Sequence, residues 1–129
     1  MRSAVAIAIL SAALAGCGKA KANEPDSLNP AHCIAALSFE ANELDRLGNR
    51  AEQVKQLVVR VSFEAEKAKA KGKARDEVKA EMRDFSWANH FEPTVMHRLA
   101  AQCRTHQDAD PAFAEFRSKF LAFMNGKLS

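Results

Sequence analysis

The sequence predicts an all-α fold: a small bundle of four to five helices closed by one intramolecular disulfide. Three observations lead there. Apolar residues recur at spacings of three and four along most of residues 30–124, the period of a helix with one buried face. Proline, glycine and asparagine punctuate that pattern at helix-length intervals. No stretch alternates convincingly with period two, and no hairpin-type turn pair separates two apolar runs.

Asn29-Pro30 reads as an N-cap followed by proline at the first helical position. Ile34, Leu37, Ala41 and Leu44 follow as one stripe, and Gly48 stops the helix. Asn49-Arg50-Ala51-Glu52 has the pattern of a capping box, with Asn in the usual Ser or Thr position. It opens a second helix whose stripe is Val54, Leu57, Val58, Val61 and Ala65, and Gly72 interrupts it. A third helix runs through Val78, Met82 and Phe85 toward Trp87 and Phe91. Glu92-Pro93 begins a fourth, bearing Val95, Met96, Leu99 and Cys103, and the polar stretch 104–110 is expected to end it. Asp110-Pro111 begins a fifth, with Phe113, Phe116, Phe120 and Phe123 on one side and Asn125-Gly126 as its stop. That phenylalanine stripe reads as core, because a terminal helix packs its bulky side inward. A ligand slot or a partner face is its alternative use.

Composition narrows the function. The chain has 129 residues, 47% apolar and 27% charged, with a formal net charge of +3. That is one domain's worth of core, too short for a catalytic barrel or for a doubly wound sheet with a second domain. The charge is small and the signs are mixed along the chain, so nucleic acid is not an expected partner.

The N-terminus carries a different message. Arg2 supplies a positive start, and the stretch from Ala4 to Ala15 is apolar except for Ser11. Its twelve residues match a signal-peptide core and fall short of the roughly 20 that a spanning helix needs. The run ends in Leu14-Ala15-Gly16-Cys17. This segment resembles a bacterial lipoprotein signal peptide, with those four residues as the lipobox. The resemblance implies cleavage before Cys17, a thioether-linked diacylglycerol on its sulfur, and an acyl group on the new amino terminus. Residues 1–16 are then the signal peptide, 17–29 a lipidated flexible tether and 30–129 the helical domain. At about 0.8 kcal/mol per buried methylene, two or three chains hold the protein on its membrane for good. Gly18 stands where related lipoproteins retained at the inner membrane carry Asp, which implies the periplasmic face of the outer membrane. Leu28 is the one large apolar residue of the tether, whose dozen residues after Cys17, Gly18 to Asn29, reach about 20 Å if flexible.

Cys33 and Cys103 are an even pair in a chain bound for an oxidising compartment. Each falls on its helix's apolar stripe, and antiparallel packing of the first and fourth helices brings them together, so a disulfide is expected. A tetrahedral zinc site of His32, Cys33, Cys103 and His106 is the competing use of these residues. It is disfavoured because neighbours on a helix point about 100° apart and oxidation would consume both thiolates. The motifs of covalent haem, dithiol redox, zinc peptidase, serine hydrolase, phosphate-loop and di-iron proteins are absent. Glu40 and Glu43 are spaced for an acid/base pair or, more simply, for a solvated face, and His90 and His97 read as packing or surface residues. Lys67, Lys69, Lys71, Lys73 and Arg75 form an acid-free basic run. Lys67, Lys71 and Arg75 would share one helical face, for an anionic surface or simply for water.

The expectation is a non-enzymatic, membrane-anchored envelope lipoprotein without a cofactor, whose domain binds or scaffolds an envelope protein or acidic polymer. A small-molecule or metal-binding carrier and a periplasmic chaperone-like protein are the alternatives.

Overall fold

The computed structural model describes residues 22–128. Five helices follow in order: α1 (Pro30–Leu47), α2 (Ala51–Ala70), α3 (Arg75–Ala88), α4 (Pro93–Ala109) and α5 (Pro111–Leu128). No strand occurs among the described residues. None of their helices is long and apolar enough to cross a membrane. The predicted signal peptide and Cys17 lie outside the described residues.

α1 is the central helix, packed against α2, α3 and α4, while α5 lies across α2 and α4. The first eight residues of α1, Pro30–Leu37, are all buried, so its N-terminal half is covered on every side. Ala31, Ala35 and Ala36 make this possible, because small side chains let three neighbours approach one helix. The sequence pattern showed only the Ile34–Leu37 stripe, since alanine carries little hydrophobic signal. The main core joins Leu37, Leu57, Phe85, Met96 and Leu99 with both cysteines. Each large side chain there contributes about 1.5–3 kcal/mol by leaving water. A second cluster of Val59, Phe63 and Phe113 fastens α5 to α2, with Phe116, Phe120 and Leu121 packed against it.

The expected disulfide is present. Cys33 and Cys103 are bonded across a Cα separation of 5.8 Å and a sequence separation of 70.

Most helix boundaries follow their punctuation. The Asn29 side chain accepts from the Ala31 amide at 3.0 Å, and the Asp110 carboxylate caps α5 through the Ala112 amide at 2.9 Å. Gly72 ends α2 in the left-handed region at φ +80°. There the Lys73 amide donates to the Ala68 carbonyl and the Gly72 amide to Lys69, the two bonds of a Schellman motif.

Three boundaries differ from expectation. Asn49 does not cap α2; it adopts φ +56° beside Gly48, and Arg50 takes the cap position without a side-chain bond. The polar residues from Arg104 onward do not end α4, which continues to Ala109 because Gln107 turns inward and is buried. Nor does Asn125-Gly126 stop α5, where Gly126 keeps a helical backbone. Part of the expected tether is held on the domain as well. The Asn89 amide donates to the Asn23 carbonyl at 2.8 Å, and Asp26 organises a turn by accepting from the Leu28 amide. Polar bonds hold this stretch, so a search for apolar residues would miss it.

Candidate functional site

Among the described residues a cavity of about 850 Å³ forms an open groove between α1, α2 and α4. Helical spacing builds its walls. Glu40, Glu43, Leu44 and Leu47 share one face of α1, and Gln53, Gln56, Leu57 and Arg60 share one face of α2. His97 and Arg104, two turns apart, close it from α4. His97 sits between the two carboxylates, with Nδ1 2.8 Å from Glu40 and Nε2 2.8 Å from Glu43. Both contacts are hydrogen bonds only when both ring nitrogens carry protons. Arg104 donates to the other oxygen of Glu40, and the edge of Phe39 supports the imidazole. The two acids, spaced for an acid/base pair or a solvated face, thus both meet side chains of α4 and staple α1 to it.

Behind the groove a buried polar chain crosses from α2 to α4. Gln107 accepts from Arg60 at 3.0 Å and donates to the Arg60 carbonyl and to Glu64. Lys67 meets the same Glu64 oxygen at 2.9 Å. Arg60 also reaches Asp108 and lies over the Phe113 ring, so one side chain ties together α2, α4 and α5. The sequence hid this network, because a polar Gln107 inside a polar stretch looks like surface.

The other candidate residues disperse. His32 is buried, with its ring stacked on Phe85 at 4.2 Å. Burial holds its imidazole below the ordinary 6.5, opposed by Asp26, by the Ala22 backbone and by Glu81. Its Nδ1 has no hydrogen-bond partner among the described residues. With both sulfurs in the bridge and His106 exposed, His32, Cys33, Cys103 and His106 do not assemble as ligands. No group of three or more metal-ligating side chains occurs among the described residues. The basic run is split because α2 ends at Ala70 and Arg75 opens α3, so Lys67, Lys71 and Arg75 share no helix face. Lys67 folds onto Glu64 and the Phe63 ring, and Lys73 pairs with Glu81 at 2.8 Å.

The phenylalanine stripe is graded: Phe113 is core, Phe116 and Phe120 are half-buried, and Phe123 is 57% exposed. A second departure is on α3. Phe85 is core, but Trp87 is 67% and Phe91 44% exposed, with their rings edge-to-face at 5.3 Å. The turn that follows Trp87 and carries Phe91 places two non-glycine residues at positive φ, His90 at 56° and Phe91 at 49°. Such backbone costs on the order of 1–2 kcal/mol per residue. The bonds from the His90 amide to Trp87 and from the Phe91 amide to Ser86 compensate.

No protein-family model, curated protein or solved structure matches this chain.

Proposed function

We propose that this protein is an exported, lipid-anchored component of a bacterial envelope whose helical domain acts by binding or scaffolding another envelope component. The observation that carries the reading is a disulfide between Cys33 and Cys103 in a chain that begins with a lipobox-like Leu14-Ala15-Gly16-Cys17. Disulfides persist in oxidising compartments, where such a leader would deliver the chain. The groove supports a binding role. Its volume suits an extended peptide or a small amphiphile, and Leu44, Leu47 and Leu57 supply apolar contact beside Arg46 and Arg60. Its acids are engaged by His97 and Arg104, and its lining includes no serine, threonine or cysteine nucleophile.

The test is metabolic labelling with palmitate, combined with fractionation of the parent and Cys17→Ser proteins. Label in the parent alone, with the variant released from membranes, is the expected result. Absence of label, or unchanged membrane partitioning of the variant, overturns the anchor. In-cell crosslinking from Gln53 or Arg46 then tests the groove. Reproducible capture of one envelope component is expected, and indiscriminate capture of many unfolded proteins would favour a chaperone-like role instead.

A further inference from the structure

We propose that Trp87 and Phe91 seat the domain on the phospholipid surface that holds its anchor, an inference that rests on the lipid-anchor reading above. The two rings border a cleft of about 430 Å³ floored by Phe39, Met82 and Met96. Trp87 is the sole tryptophan of the sequence, and it stands out from a helix whose neighbouring Phe85 is fully buried. An indole has an apolar body and one N–H donor, a combination suited to the boundary between acyl chains and headgroups. Lys79 and Arg83 precede Trp87 at four-residue intervals, so two exposed cations and the indole line one side of α3. Of the nearby acids, Asp84 contacts Arg83 at 3.3 Å and Glu81 pairs with Lys73.

Chain length says what covers this patch. Asn89, two residues from both Trp87 and Phe91, grips the carbonyl of Asn23. Cys17 lies only six residues before Asn23, and six residues in any arrangement span at most about 20 Å. Acyl chains on Cys17 therefore keep the Asn89 turn within that distance of the bilayer. The exposed aromatics stand within one helical turn of the point where the tether is clamped. A contact too weak to recruit a free protein suffices here, because tethering makes it intramolecular at a high effective concentration. The strained His90-Phe91 turn sets the second ring outward beside the first.

The experiment uses the intact acylated protein in vesicles of phosphatidylethanolamine and phosphatidylglycerol, separated by flotation. Trp87 is its own reporter. In vesicles its emission is expected at shorter wavelength than that of the unacylated Cys17→Ser protein in buffer, and is expected to be quenched by lipids brominated on the upper part of their acyl chains. A Trp87→Phe/Phe123→Trp variant moves the reporter to α5, which packs on α2 and α4 whereas α3 packs on α1. That variant should float equally well with no shift and no quenching. Flotation of the parent with unchanged emission overturns the docking face and leaves the anchor standing. Equal quenching from both reporter positions also overturns it. Failure to float overturns the anchor and the docking face together.

Discussion

Replacing Cys33 and Cys103 together by alanine removes one covalent bond and leaves the helix-forming pattern untouched. The bridge closes a loop spanning 70 positions that holds most of α1, all of α2 and α3, and most of α4; the N-terminal segment, the first residues of α1, the last turn of α4 and α5 hang outside. In the chain-entropy treatment, opening such a loop raises the freedom of the unfolded chain by about 4 kcal/mol at 25 °C. Both cysteines are buried in the main core, so losing two sulfur atoms adds roughly 1 kcal/mol of lost packing. Small domains have only about 5–15 kcal/mol in total, so the variant should keep its helices but unfold far more easily. Urea titration followed by circular dichroism is the assay, comparing the oxidised parent with the double variant. With a urea slope of about 1–3 kcal/mol per molar, the midpoint should fall by about 2 M or more. A loss below about 1 kcal/mol, with the bridge verified in the parent by mass spectrometry, would refute the view that this crosslink restrains the unfolded chain.

Other outcomes follow from single side chains. Leu37→Ala, at a fully buried position of the central helix, should cost about 2–5 kcal/mol by the same titration; a cost under 1 would mean α1 is not the centre of the core. Gly72→Ala should cost about 1 kcal/mol through backbone strain alone, because φ is +80° and a Cβ there meets no atom within 4 Å. For His32, burial depresses the folded pKa below 6.5, so the unfolded chain takes up the proton first as pH falls. Its contribution is therefore complete above about pH 6.5 and is lost progressively below it as the folded value is approached. His32→Phe, which keeps a ring over Phe85, should flatten that acid-side loss relative to the parent; identical pH profiles of stability would contradict it.

Periodicity and punctuation made the helices legible, because both act within a few residues of chain. Asn29-Pro30, Gly48, Gly72 and Asp110-Pro111 each sit at or beside a real boundary, since a cap or a left-handed turn is satisfied by neighbours two to five residues away. The disulfide was legible too. Two cysteines on apolar stripes of helices that pack together have few other places to go. Gln107 was not legible, for the opposite reason. Its partners Arg60 and Glu64 lie more than forty residues away, and nothing nearby marks it as buried.

Local chemistry thus settled most of the helix boundaries and which sulfurs could meet. Only the packing decided that His97 would stand between Glu40 and Glu43, and that the basic run would be broken by a turn. It also decided that Trp87 would face outward one position beyond a buried serine. The direction a side chain takes depends on which neighbours arrive from distant parts of the chain, and spacing along one helix says nothing about those arrivals.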